Sequence, residues 1–270
     1  MMTAKAESSV RVDGLRFRCR VDGEEGAPWI VFSNSLLTDL SLWDEQVAAL
    51  ADEFRILRYD QRGHGGTEVP ESPATIDQLV ADAAALLDAF AIPRAAFVGI
   101  SLGAATALGI AARLPERIAR VVACDGQART PPGGAAAWQQ RIDLAAEKGM
   151  EGLVEPTVRR WFPPSFVAAD GAGLNRVRAM IHDTPFGGFV VCARALQNFD
   201  LTPALPDLAQ PVLLVVGEAD GALPQTMRAM QAQIPDCELA VIPGAGHLVN
   251  IQEPDLFNRA LSPFLSKGGS

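Results

Sequence analysis

Short apolar runs and longer amphipathic stretches alternate along most of the chain. Seven runs rich in apolar residues predict strands at 15–21, 29–33, 54–59, 96–100, 118–124, 212–216 and 238–242. Four longer stretches with helical spacing predict helices at 75–90, 102–114, 224–233 and 255–265. The later strands are nearly continuous apolar runs, as expected of parallel strands covered on both faces. The alternation predicts an α/β fold with a mostly parallel sheet.

Between residues 130 and 206 this alternation stops. The segment contains no convincing buried strand and opens with the turn-forming sequence PPGG. Helical spacing returns at 136–148 and 174–181. We therefore expect residues 130–206 to form a helical cap, inserted into a core made of residues 1–129 and 207–270.

Composition and charge narrow the function classes. The 270 residues are 49% hydrophobic, which suits a globular chain with a sizeable core and excludes disorder as the dominant state. A net charge of −9 without a basic run argues against binding to nucleic acid or to an anionic membrane surface. Monomers and homo-oligomers are both compatible with the sequence.

The compartment is predicted from two further patterns. The start of the chain is polar and lacks the apolar core of a signal peptide, and no apolar run approaches the roughly 18 residues of a membrane span. Four cysteines are scattered as Cys19, Cys124, Cys192 and Cys237, without metal-site or disulfide spacing. Free thiols in a reducing compartment are the simpler interpretation, so we expect a cytoplasmic protein.

The sequence Gly99-Ile100-Ser101-Leu102-Gly103 lies between a predicted strand and a predicted helix. G-x-S-x-G in this context is typical of a nucleophile elbow, a tight turn that exposes the serine hydroxyl above the sheet. The flanking glycines allow the strand and helix to approach closely. The backbone N–H of Leu102, at the helix N-terminus, would face a developing oxyanion.

A serine nucleophile needs a base, and the sequence has three histidines. His247 follows the last strand, where loops at the carboxyl ends of parallel strands converge, and it is our candidate. His64, in a turn, and His182, in the predicted cap, are better explained as structural residues. For the acid we favour Asp220, four residues past a strand, over its neighbour Glu218, with Asp125 as the alternative.

Beyond these positions, several segments resemble the 3-oxoadipate enol-lactonases of the α/β-hydrolase superfamily. They are SNSLLTDLSLW at 33–43, LRYDQRGHG at 57–65, PERIAR at 115–120 and RWF at 160–162. The resemblance extends from about residue 10 to residue 265. It implies an α/β-hydrolase fold, hydrolysis of an enol-lactone without a cofactor, and the backbone N–H of Leu36 as a second oxyanion donor.

The chain departs from that family at positions near the site. Leu102 and Ala104 stand where a methionine and a second glycine are usual, and Leu37 replaces a glycine of the oxyanion loop. The sequence DGQ at 125–127 replaces a typical Asn-Thr-Ala. These departures affect the expected substrate more than the expected hydrolytic chemistry.

An enol-lactone of this class carries a carboxylate that needs a partner in an apolar pocket. Arg129, at the entrance to the predicted cap, and Arg141, beside Trp138, are the candidates, because guanidinium binds carboxylate in a bidentate manner. Trp138 and Trp161 either line the pocket or pack the cap. No metal-binding or nucleotide-binding motif is present in the sequence, so we expect neither a metal nor another cofactor.

The same residues would also suit related reactions, because one triad supports many chemistries. Hydrolysis of another lactone, a neutral ester or a carbon–carbon bond, and perhydrolysis, remain alternatives. A ligand-binding protein on a hydrolase scaffold is disfavoured by the complete set of Ser101, Asp220 and His247.

Overall fold

The structure is a computed structural model that describes residues 7–267. One eight-stranded sheet forms its centre, in the spatial order β1-β2-β4-β3-β5-β6-β7-β8. The strands β1 and β2 are antiparallel to their neighbours, and all pairs from β4 to β8 are parallel. The strands are β1 (Glu7–Val12), β2 (Leu15–Asp22), β3 (Trp29–Ser33), β4 (Arg55–Tyr59), β5 (Ala95–Ile100), β6 (Ile118–Cys124), β7 (Val212–Gly217) and β8 (Cys237–Ile242).

Helices connect the parallel strands and cover the sheet. Helices α2 and α3 pack against each other, and α3 also contacts β3, β5 and β6, whereas α1 packs against α11 and α11 contacts β7 and β8. The helices are α1 (Asp44–Leu50), α2 (Ile76–Ala89), α3 (Leu102–Arg113), α4 (Gly134–Lys148), α5 (Glu151–Trp161), α6 (Pro164–Ala169), α7 (Ala172–Asp183), α8 (Phe186–Gln197), α9 (Leu223–Gln231), α10 (Val249–Gln252) and α11 (Pro254–Ser266).

The strand sequences explain where the core lies. Every residue of β5 and of β7 is buried, which fits their continuous apolar sequences AAFVGI and VLLVVG. Helix α2 begins after Thr75, whose hydroxyl accepts a hydrogen bond from the N–H of Gln78 at 3.1 Å. The α/β fold with a mostly parallel sheet is thus confirmed.

Two details of the sheet differ from the sequence-based expectation. Strand β1 was not predicted, because its sequence ESSVRV is mostly polar and it lies at the sheet edge. The polar start noted above continues into this strand, although residues 1–6 lie outside the described residues. The predicted strands 15–21 and 29–33 follow each other in the sequence, yet β2 and β3 are separated in the sheet by β4.

Five helices, α4 to α8, lie between β6 and β7. The predicted stretches 136–148 and 174–181 fall within α4 and α7, whereas α5, α6 and α8 were not predicted. Helix α4 packs against α8 and α5, and α5 packs against α7. Over residues 7–267, none of the helices is both long enough and apolar enough to span a membrane.

Candidate active site

Ser101 lies in the turn between β5 and α3, with backbone angles φ 57° and ψ −111°. These angles are strained for a residue with a side chain, and such strain costs on the order of 1–3 kcal/mol. A Cβ at Gly99 would collide with the carbonyl of Gly103, and one at Gly103 would collide with the carbonyl of Ser33. The two glycines of the motif are therefore what allows strand and helix to approach closely enough to form this turn.

The carboxyl ends of β7 and β8 bring two of the candidate residues together. The Nδ1 atom of His247 lies 2.7 Å from Oδ2 of Asp220, and both side chains are almost buried. Glu218 instead accepts a hydrogen bond from the N–H of Gly244 at 3.0 Å and is exposed. The structure thus brings Asp220, and not Glu218, to His247. Asp125, the alternative acid, lines the same cavity.

Two backbone amides, one on the residue after Ser101 and one on a residue that lines the same cavity, have no acceptor within the described chain. Neither Leu36 nor Leu102 donates a backbone hydrogen bond to any other residue in the range 7–267. The segment carrying Leu36 is held against the elbow by the N–H of Gly103, which donates to the carbonyl of Asn34 at 3.1 Å. Free N–H groups beside a serine are the elements of an oxyanion hole.

His64 contacts this segment and does not line the cavity described below. It is fully buried; its Nε2 accepts a hydrogen bond from the N–H of Leu37 at 3.1 Å, and its Nδ1 lies 3.1 Å from the carbonyl of Arg62. Burial lowers the pKa of His64 to about 4, so the imidazole is neutral near pH 7, with Nδ1 donating. Leu37 has φ 69°, a left-handed conformation that this hydrogen bond helps to hold.

The loop containing His64 also contacts helix α8. The Sγ of Cys192 donates to the same Arg62 carbonyl at 3.4 Å. The backbones of Gly63 and Gly188 touch, and a Cβ on either residue would collide with the other. The support of the Leu36–Leu37 segment is therefore directly joined to the 130–206 segment.

His182 is exposed on α7 and lies 2.8 Å from the carboxylate of Asp183. A side-chain hydrogen bond to Asp183 raises the pKa of His182. His182 is absent from the cavity lining, which agrees with a structural interpretation of this residue.

Ser101, Asp220 and His247 open onto a cavity of about 560 Å³. Two tryptophans line it with them. The ring of Trp161 stacks on the imidazole of His247, with ring centroids 5.5 Å apart, and its carbonyl accepts the N–H of His247 at 2.6 Å. Trp138 carries the guanidinium of Arg141 over its ring, 5.1 Å from the centroid.

The two candidate arginines differ in position. Arg129 is exposed, is paired in a β-bridge with Asp200, and does not line the cavity, so the structure does not bring it to the site. Arg141 lines the cavity and donates to Oγ1 of Thr157 at 2.8 Å. Its Nε atom is buried and without a partner among the described residues.

Arg160, which the sequence reasoning did not select, lines the cavity as well. Burial, and then the positive charge of Arg160, lower the pKa of Arg141 to about 10. No ion pair within the described part of the chain involves the Arg141 guanidinium. The useful signal for Arg160 is its position beside Trp161 in the last turn of α5.

Comparison with known proteins identifies the family of the chain. The sequence model of the Alpha/beta hydrolase family matches residues 26–260. The chain is 36% identical to 3-oxoadipate enol-lactonase 2 of Acinetobacter baylyi, over 91% of each chain. The crystal structure of the enol-lactonase from Burkholderia xenovorans LB400 superposes with a TM-score of 0.92 at 37% identity, covering 96% of this chain and 100% of that one.

A thermophilic esterase from Thermogutta terrifontis, solved with malate bound, superposes with a TM-score of 0.88 at 26% identity, covering 97% of this chain and 98% of that one. These matches extend over most of the chain. The protein therefore belongs to the α/β hydrolase family.

Proposed function

We propose that this protein is a serine hydrolase that opens a small lactone or ester carrying a free carboxylate, with 3-oxoadipate enol-lactone as the foremost candidate. One observation supports this most strongly. The cavity that holds Ser101 and the Asp220–His247 pair also holds Arg141, a partly buried cation without a carboxylate partner in the described chain. The similarity to enol-lactonases supports the choice of substrate.

In the proposed reaction, His247 takes the proton from the Ser101 hydroxyl, and the serine oxygen attacks the lactone carbonyl. The N–H groups of Leu36 and Leu102 stabilise the oxyanion, and one such donor is typically worth about 2.7–4 kcal/mol. Asp220, 2.7 Å from Nδ1, fixes the imidazole tautomer and stabilises the imidazolium.

Collapse of the tetrahedral intermediate breaks the ring carbon–oxygen bond, and His247 returns the proton to the leaving oxygen. An enol leaves more readily than an ordinary alkoxide. Water activated by His247 then attacks the acyl-enzyme and releases the acid, with the serine regenerated. None of these steps requires a cofactor.

We further propose that residues 130–206 act as a cap over a core of residues 1–129 and 207–270. Helices α4 and α5 supply Trp138, Arg141 and Trp161 to the cavity lining, so they would decide which acyl groups fit. Arg141 would bind the substrate carboxylate through the face not used for Thr157, since guanidinium forms strong paired hydrogen bonds with carboxylates. Arg160 would add a second positive charge.

Replacing the nucleophile tests the reaction class. Ser101→Ala should lower kcat for 3-oxoadipate enol-lactone, and for any ester the wild type cleaves, by about 10⁴-fold or more. Circular dichroism and thermal unfolding should stay at wild-type values. Turnover retained in the purified variant would refute the serine mechanism.

Replacing Arg141 tests the substrate class. Arg141→Met should raise KM for 4-nitrophenyl hydrogen succinate by about 10–100-fold, since hydrogen bonds to charged groups contribute about 1.5–3 kcal/mol. The neutral 4-nitrophenyl butyrate, which lacks the carboxylate, should be little affected. Arg129→Met is the matched control, because Arg129 lies outside the cavity lining. Equal effects of Arg141→Met on both esters would refute the carboxylate role and favour a neutral-ester hydrolase.

A further inference from the structure

The cavity contains a second carboxyl group that the mechanism above does not use. Asp125 directly follows β6 and is 1% exposed. Its backbone N–H donates to the carbonyl of Val215 at 2.9 Å, and its Oδ1 accepts the N–H of Gly217 at 2.8 Å. Both bonds tie it to β7, the strand that precedes Asp220.

The other oxygen of Asp125 lacks a donor. Oδ2 is buried and receives no hydrogen bond from any residue the structure describes. Asp220 lies beside Asp125, because both residues line the same cavity and Gly217, which donates its N–H to Oδ1 of Asp125, accepts the N–H of Asp220 at 3.1 Å. The side chain of Asp220 is itself an acceptor when ionised. Two carboxylates in such contact repel, and one proton between them turns the contact into a hydrogen bond.

The surroundings determine which carboxyl keeps the proton. Asp220 is 12% exposed in its side chain and accepts from His247, so its negative charge is compensated. Asp125 faces Asp220 across the strand ends and Cys124 on its own strand, and neither is a cation. Burial, and then the charge of Asp220, raise the pKa of Asp125 well above its usual value. Arg141 and Arg160 line the cavity but make no ion pair with Asp125 in the described chain.

We propose that Asp125 is a neutral carboxylic acid whose Oδ2–H donates to the carboxylate of Asp220 and orients it toward His247. Asp125 is then a positioning residue, which acts on the imidazole only through Asp220. Its catalytic consequence rests on the proposed function, whereas its protonation state is a property of the folded protein with or without that activity.

Two variants separate the possibilities. In Asp125→Asn the amide NH₂ donates to Asp220 and the amide oxygen accepts from Gly217, so the hydrogen bonds are conserved without the titrating proton. Asp125→Ala removes both hydrogen bonds.

The protonation state is measured by infrared difference spectroscopy at about pH 8, above the range in which Asp60, whose pKa burial raises to about 6, titrates. The spectrum of the wild type minus the spectrum of Asp125→Asn should show the carbonyl stretch of a protonated carboxylic acid. Absence of that band would overturn the proposal. Neither spectrum depends on turnover, so a failed activity assay leaves this result interpretable.

Turnover supplies the positioning test. Asp125→Asn should keep kcat within about threefold of wild type, and Asp125→Ala should lower it by about 10–100-fold at unchanged KM, as removal of an orienting partner typically does. Equal losses in both variants would mean that the ionised form, and not the hydrogen bond, is needed. Should Asp125→Ala fail to fold, the Asn comparison still decides the outcome.

Discussion

Arg141 is expected to stabilise bound substrate and to destabilise the empty protein. Burial lowers the pKa of its guanidinium to about 10, which corresponds to about 3 kcal/mol of unfavourable free energy for the charged form in the folded state. The group is protonated in both folded and unfolded chains at neutral pH. The cost is therefore fully present there and declines only above about pH 10.

Two contacts offset part of this cost. The hydrogen bond to Thr157 contributes about 1 kcal/mol, and the position over the Trp138 ring contributes about 0.5–1 kcal/mol. Methionine retains the apolar stem of the side chain and needs no desolvation of charge. We expect Arg141→Met to raise the free energy of unfolding of the ligand-free protein by about 1–2 kcal/mol.

Urea unfolding monitored by tryptophan fluorescence and circular dichroism measures this difference. The matched control is Arg129→Met, which should stay within about 0.5 kcal/mol of wild type because Arg129 is exposed. A loss of stability in Arg141→Met would refute the reasoning, since it would show that the guanidinium is satisfied by the fold itself and is not held for a ligand.

Two further predictions concern the framework of the site. A Cβ at Gly126 would lie 2.5 Å from Cβ of Ala104, so Gly126→Ala should lower the free energy of unfolding by about 1–3 kcal/mol. In a double-mutant cycle of urea unfolding, adding Ala104→Gly should recover at least half of that loss. Additive losses from the two substitutions would contradict the contact. Neutral His64, whose pKa burial lowers to about 4, binds fewer protons in the folded than in the unfolded chain, so its contribution to stability is lost as pH falls from about 6.5 to about 4. The difference in free energy of unfolding between wild type and His64→Gln should therefore shrink by about 3 kcal/mol across that range. Asp60 titrates in the same range in the opposite sense, but it is present in both proteins and cancels in the difference. An unchanged difference would mean that His64 is protonated in the folded protein.

The sheet and the elbow were predictable because their signals are local. Continuous apolar runs such as β5 and β7 cannot be half-exposed strands, and G-x-S-x-G between strand and helix restricts the backbone at Ser101. The positions of Asp220 and His247 after predicted strands were informative because loops after parallel strands converge at one edge. Strand β1 escaped prediction because edge pairing with β2 does not require an apolar sequence.

The cavity lining was less predictable, since it depends on how helices pack. The sequence does not distinguish Arg129 from Arg141. Arg141 lines the cavity because of the way α4 packs, whereas Arg129 stays at the surface. The same holds for Arg160, which follows another arginine in α5. The neutral state of His64 follows from its burial, and Oδ2 of Asp125 lacks a hydrogen-bond donor among the described residues. No sequence pattern indicates either property.

The 130–206 segment contacts both the loop of His247 and the loop of His64, and this divides its surface into parts with different freedom to change. The Trp161 carbonyl holds the N–H of His247, and α8 meets the His64 loop through the Gly63–Gly188 contact. Helix α4, which carries Arg141, contributes to neither attachment. Proteins descended from this one can therefore acquire new acyl preferences by exchanging the cavity-facing side chains of α4. A substitution at the α8 contact would instead lower turnover of every substrate to a similar extent.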